Sequence, residues 1–169
     1  MKRSRLLQVL AALTLAALAP VCAAAEAESI GLGISLGMAF PQGSTPGIAS
    51  TDGQASFDWG FYVNIPIIYT FHLTPSSELY KFDAQNATDM SIAFKFIVPL
   101  PRFEVYAGAV PGLTAVGDII APNVGLLGGA SFPLVGNLSA FVQGKYKWLF
   151  QGDHNLRVFH IGAGMLFSF

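Results

Sequence analysis

The side chains of this chain that could do chemistry are few, so each can be weighed. Lys145 and Lys147 lie two positions apart, and His160 follows them nearer the end of the chain. Upstream stand Asp58, Lys95 and Glu104, each set in a run of apolar and small residues. Metal ligation, proton transfer and ion pairing are the chemistries open to such a set. His72, His154 and His160 are too scattered for a metal cluster, and no Asp/Glu pattern accompanies them. The expectation is therefore no metal, no cofactor and no catalytic residue. Ion pairing remains, and what it could do depends on the elements that hold these groups.

Those elements announce themselves by alternation. From Arg157 every second residue is large and apolar (Phe159, Ile161, Met165, Phe167, Phe169, with Ala163 among them), while His160, Gly162, Gly164 and Ser168 take the other face. Such a pattern predicts a strand with two unlike faces. The stretch 29–40 repeats it more cleanly: Ile30, Leu32, Ile34, Leu36, Met38 and Phe40 against Gly31, Gly33, Ser35, Gly37 and Ala39. Further strands are predicted over 57–71, 90–98, 102–114, 123–132, 138–150 and 156–169, with a weak, short one over 78–84. Pro41 to Ser56 reads as a loop, 72–77 and 85–89 as turns, Pro99-Leu100-Pro101 as a tight turn, 116–122 as a loop and 133–137 as a turn. Pro66 cannot donate to a ladder, so a bulge is expected there. On 138–150, Phe141 is an exception, an aromatic on the polar face.

Composition narrows the class. The chain has 169 residues, 53% hydrophobic and only 11% charged, against about a quarter charged in an average soluble domain. Lys2, Arg3 and Arg5 precede an apolar run from Leu6 to Ala19 and then a string of small residues. That is the layout of a secretory signal peptide over 1–25, cleaved after Ala25 or alternatively after Ala27. The run is shorter than the roughly 20 residues of a spanning helix, and no later segment is long and apolar enough either. Cleavage after Ala25 removes Cys22, and with it any disulfide, thiol chemistry or Cys-based metal site. It leaves six basic against ten acidic residues, a net of −4, unlike a nucleic-acid binder.

Residues 26–169 are thus expected to form an all-β, eight-stranded antiparallel up-and-down transmembrane β-barrel. The even strand count suits a barrel with both ends on one side of a membrane, although it depends on the weak element 78–84. Phe57, Trp59, Tyr69, Phe71, Tyr146, Trp148, Phe150, Phe167 and Phe169 sit near strand ends, as interfacial girdles require. The structural rival is a secreted soluble barrel that binds a lipid ligand, which would turn its apolar face inward. Too few charges and too many Gly, Ala and Ser residues occupy the second face for it to meet water. Small residues suit instead the crowded interior of an eight-stranded barrel.

The chain resembles the small eight-stranded outer-membrane barrels of the OmpA/OmpX/OmpW kind of Gram-negative bacteria. The residues that carry the likeness are the signal peptide, the strand Phe103-Glu104-Val105-Tyr106-Ala107-Gly108-Ala109 after a proline turn, and the ending Leu166-Phe167-Ser168-Phe169. The resemblance implies a place in the outer membrane, and a terminal strand, with Phe167 and Phe169, that the barrel-assembly machinery recognises. Barrel-fold lipid A deacylases carry a His and a Ser two residues apart near the C-terminus. Here His160 is followed by Ile161 and Gly162, which speaks against that activity.

The expected lumen set is Asp58, Tyr62, Asn64, Thr70, Lys95, Glu104, Tyr106, Gln143, Lys145, Lys147 and His160. A two-residue connection at Pro99 would set Lys95 opposite Glu104 and Phe96 opposite Phe103. Charges in a narrow barrel must be paired or hydrated, so these groups are either structural pairs that close the lumen or a gate in a small pore. Arg157, Lys147 and Arg102 are candidate contacts for anionic headgroups, or surface residues that snorkel. The expected function is a structural or surface-exposed outer-membrane protein without enzymatic activity, a monomer in contact with outer-membrane lipid and lipopolysaccharide. The alternatives are a narrow channel for ions or small apolar solutes and the soluble lipid-binding barrel. Only the loop Pro41 to Ser56 is long enough to offer a partner much surface.

Overall fold

A computed structural model describes residues 29–43, 54–68, 70–82, 85–151 and 154–169. The expected signal peptide with its cleavage site, Cys22, Tyr69 and most of the loop 41–56 lie outside the described residues, as does the side chain of His154. Alternating sequence gives alternating exposure along most of the wall. Along β1 (Gly31–Gln42), Leu32, Ile34 and Leu36 are 51%, 55% and 60% exposed, whereas Ser35 is 7% exposed and Ala39 is sealed. The greasy face points out of the barrel and the small, polar face points in. That polarity is the reverse of what a soluble lipid-binding barrel needs, and it removes that alternative.

The other strands are β2 (Ser56–Ile68), β3 (Phe71–Phe82), β4 (Gln85–Pro99), β5 (Glu104–Val116), β6 (Ile119–Val135), β7 (Leu138–Gln151) and β8 (His154–Ser168). Each pairs antiparallel with its neighbour in sequence, and β8 pairs with β1 to close the barrel. Closure leaves no edge strand to aggregate. β1 and β8 are in register from Gly31↔Ser168 to Gln42↔Arg157. Beyond the ladder, the Phe169 N–H donates to the Ile30 carbonyl over 3.0 Å. Two hairpins turn on Gly117-Asp118 and Gly136-Asn137, where the glycines hold φ of +56° and +55°, as a two-residue turn with positive φ at its first position requires.

Several expectations about connections are corrected. The segment 72–77 is no turn, and the weak strand 78–84 is the second half of β3, which runs unbroken from Phe71 to Phe82. Pro75, Ser76 and Ser77 read as turn formers, yet the β3–β4 ladder passes straight through them. Pro75 is tolerated because the β2–β3 ladder skips the pairs beside it, between Tyr62↔Ser76 and Ile65↔Leu73. The Asn64 side chain fills that gap, accepting from the Thr74 hydroxyl (3.0 Å) and pairing with His72 Nδ1 (2.9 Å). Likewise 85–89 is not a turn but the start of β4, 119–122 belongs to β6 rather than to a loop, and the turn expected over 133–137 shrinks to 136–137 because β6 runs to Val135.

A further correction concerns register at the proline turn. The Leu100 N–H donates to the Phe103 carbonyl over 2.9 Å, so the turn sits on Pro101-Arg102 and not on Pro99-Leu100. Proline with its fixed φ suits the first corner of such a turn. As a result Lys95 pairs with Gly108, Phe96 with Ala107 and Glu104 with Pro99. Lys95 and Glu104 are not opposite each other. The shift moves each strand by an even number of residues, so the faces are kept and Lys95 still points inward. The bulge expected at Pro66 is present, as a register shift between Pro66 and Ile68.

Candidate functional site: a sealed ionic interior

Two short apolar clusters and a polar middle fill the barrel. Toward the end where the connection 43–55 lies, Ala39, Tyr80, Ala87, Val116, Ala121, Leu149, Leu156 and Val158 pack as one buried cluster. Below it comes the charged layer. Lys147 is fully buried and pairs with Asp89, itself fully buried. Asp89 also accepts from the Thr114 hydroxyl (2.7 Å) and the Asn123 amide (2.8 Å), while Lys147 donates to Ser91 Oγ (3.0 Å). Asp89 thus accepts from three side chains, Lys147, Thr114 and Asn123.

Next to this group, Lys145 pairs with Glu78, and the Tyr62 hydroxyl donates to the same Glu78 oxygen. The Tyr62 oxygen in turn accepts from Ser35 Oγ and from the Gln143 amide, each at 2.9 Å. Lys147 Nζ lies 3.9 Å from the second Glu78 oxygen, so the two ion pairs form one network from β3, β4 and β7. His160 Nδ1 contacts Asp58 Oδ2 at 2.7 Å, and the Tyr80 ring packs edge-on to the imidazole at 4.8 Å. A cavity of about 10 Å³ remains between Ser35, Asp58, Glu78, Gln143 and His160. That is room for about one water molecule.

Toward the other end, Ala93, Ile97, Tyr106, Val110 and Leu127 form the second buried cluster. The Lys95 ammonium lies 4.8 Å from the centre of the Tyr106 ring, a geometry in which the ring's electron-rich face holds the cation. Lys95 and Glu104 both line a cavity of about 60 Å³, with Asn64, His72 and Ser131 also in its wall.

Of the residues singled out in the sequence, Asp58, Lys145, Lys147 and His160 are brought into one buried group, and Lys95 lies below it. Glu104 is exposed at the rim, in the wall of the cavity that Lys95 also lines. Lys147 as a headgroup contact is corrected: it points into the barrel with no exposed surface. Arg157 and Arg102 are exposed. Phe141, the apparent exception on β7, is an inward aromatic whose ring meets Tyr62 at 5.6 Å and 77°. Glu78 and Asp89, the acidic partners of the two lysines, were missed because both fell in segments taken for a weak strand and a turn. The signal was present. Extending the inward set Ser91, Ala93, Lys95 back by one step reaches Asp89, and the alternation through Thr74, Ser76, Glu78 and Tyr80 marks β3.

No family model matches this chain, and no curated protein does. Solved structures do. Neisserial surface protein A aligns with 83% of this chain and 97% of its own, at 15% identity and a TM-score of 0.70. The N-terminal β-barrel domain of Pseudomonas aeruginosa OprF aligns with 82% of this chain and 97% of its own, at 14% identity and a TM-score of 0.51. The fold is that of the small eight-stranded outer-membrane barrels. At these identities the likeness is one of architecture. The side chains of the interior must be read on their own terms.

Proposed function

We propose that the protein is an outer-membrane barrel without enzymatic activity, embedded as a closed structural element that presents its 43–55 connection at the cell surface. One observation carries this reading: apolar side chains cover the outside while ion pairs are sealed inside. An outward belt of Leu, Ile, Phe and Val is stable only in lipid. Phe57, Trp59, Trp148 and Phe150 lie toward one rim, with Phe71, Phe167 and Phe169 toward the other, where amphipathic rings meet headgroups. The strand ends leave two-residue connections at 83–84, 117–118 and 152–153, so 43–55 is the one long connection at its end of the barrel.

The charged layer favours a closed element over a narrow channel. A permeant ion would have to displace Lys145 from Glu78 or Lys147 from Asp89, and then pass Leu149, Leu156 and Val158. Purified protein in planar bilayers is expected to give no conductance steps, and Lys95→Glu is expected to be equally silent. Stable unitary currents from the wild type, or a current altered by Lys95→Glu, would overturn the closed reading and favour the channel. Recovery in the outer-membrane fraction, with heat-modifiable gel migration, tests the location separately.

The terminal strand supplies a further expectation. Phe169 is 60% exposed on the outer wall and contributes its backbone N–H to closure. Phe169→Leu should change refolding stability in detergent by less than about 1.5 kcal/mol, because an apolar side chain of similar size still faces the hydrocarbon. It should nevertheless lower the yield of assembled barrel in cells, if the ending is read by the assembly machinery. Equal yields of the two proteins would count against that partner.

A further inference from the structure

The β2–β3 seam does not close at the rim that carries the 43–55 connection. Its last ladder pair is Trp59↔Leu79, although β2 begins at Ser56 and β3 runs on to Phe82. The neighbouring seams stay paired: β1 holds β2 as far as Ser56, and β4 holds β3 as far as Phe82. Above Trp59 the Lys81 N–H finds the Ser56 hydroxyl, at 3.2 Å, in place of a ladder carbonyl. The two strands therefore splay, and a cleft of about 580 Å³ opens between them. That size is in the range of small-molecule sites, about 300–1,000 Å³. Its walls are Phe57, Trp59 and Leu79 below, with Gln54, Lys81 and Asn86 around the top.

This layering matches one kind of ligand. Phe57 and Trp59 are 60% and 39% exposed on the outer wall, at the height where lipid chains end. Lys81 is the single charged side chain among the described residues of the lining, and no carboxylate is among them. An acyl chain laid against Phe57, Trp59 and Leu79 would bring an anionic headgroup to the Lys81 ammonium and the Asn86 amide. A long cation stem also covers apolar surface while its head stays wet, so Lys81 can serve both parts of the ligand. We propose that the splayed β2–β3 seam is a binding cleft for an anionic acylated lipid drawn from the surrounding leaflet. The proposal rests on the membrane-embedded reading above and adds a place and a chemistry to it.

Trp59 is the built-in reporter. The chain has two tryptophans, and Trp148→Phe leaves Trp59 alone. That variant would be reconstituted in phosphatidylcholine vesicles containing a small fraction of chain-brominated phosphatidylglycerol, or the same fraction of chain-brominated phosphatidylcholine. The anionic lipid is expected to quench Trp59 as if enriched about fivefold, the factor one lysine–headgroup contact provides. Lys81→Gln should bring the two lipids to parity, and Lys81→Arg should restore the preference. Lys81 is exposed, so neither substitution threatens folding. Equal quenching by both lipids in a protein that has inserted and shows heat-modifiable migration overturns the cleft while leaving the membrane reading intact. Preference that survives Lys81→Gln overturns the assignment of Lys81. Failure to insert into vesicles at all overturns both.

Discussion

Replacing Lys147 by methionine is expected to destabilise the barrel by about 3–5 kcal/mol, the cost of stranding a buried charge. Methionine keeps most of the volume of the lysine stem but removes the ammonium from Asp89. Asp89 has no exposed surface, and its remaining partners, Thr114 and Asn123, are neutral. The double substitution Lys147→Met/Asp89→Asn removes both charges and keeps an acceptor for Thr114 and Asn123. It should recover more than half of the loss, because replacing a buried pair by neutral groups is often close to neutral. Urea unfolding of the refolded barrel, followed by tryptophan emission and gel mobility, gives both numbers. A single-variant cost under about 1 kcal/mol, in the range of exposed pairs, would mean that water reaches Asp89 and that the interior is not sealed.

The sequence was most legible where alternation was longest. β1 and β8 could be read from Ile34, Leu36, Phe159 and Ile161 alone, because a strand with one face in lipid must alternate strictly. It was least legible at β3. There Pro75 and two serines carry the signature of a turn, and the barrel overrides it by leaving a gap in the β2–β3 ladder that Asn64 fills. That one misreading hid Glu78, and the similar one at 85–89 hid Asp89, so the lysines could be placed inside without their partners. The register at the proline turn failed for a different reason. Pro99 and Pro101 are both good turn formers, and composition does not say which one starts the corner. The splayed seam was not legible at all, since nothing in the residues from Ser56 to Trp59 marks where a ladder ends.

Gly164→Val is expected to cost about 3 kcal/mol or more, at or beyond the upper end of overpacking, and the reason ties the small residues to the closed interior. A Cβ built on Gly164 would lie 2.1 Å from the Ile34 carbonyl oxygen and 2.5 Å from the Phe141 ring. Backbone cannot yield there without opening the β1–β8 ladder that closes the barrel, and Phe141 cannot yield without releasing Tyr62, its edge-on neighbour. Tyr62 is the group that Ser35, Gln143 and Glu78 share. The absence of a side chain at Gly164 therefore makes room for a ring that braces the Lys145–Glu78 pair. Gly128, on the outer wall, is the matched control: the nearest atom to its Cβ is the Tyr106 carbonyl oxygen at 3.7 Å. Gly128→Ala should be neutral or stabilise by about 0.5–1 kcal/mol, from the entropy a strand glycine loses on folding. Urea unfolding of the two variants side by side separates a glycine demanded by packing from one that is not. If Gly164→Val unfolded with the wild type, the inner face would have slack to spare, and the ionic layer would be held by its charges alone.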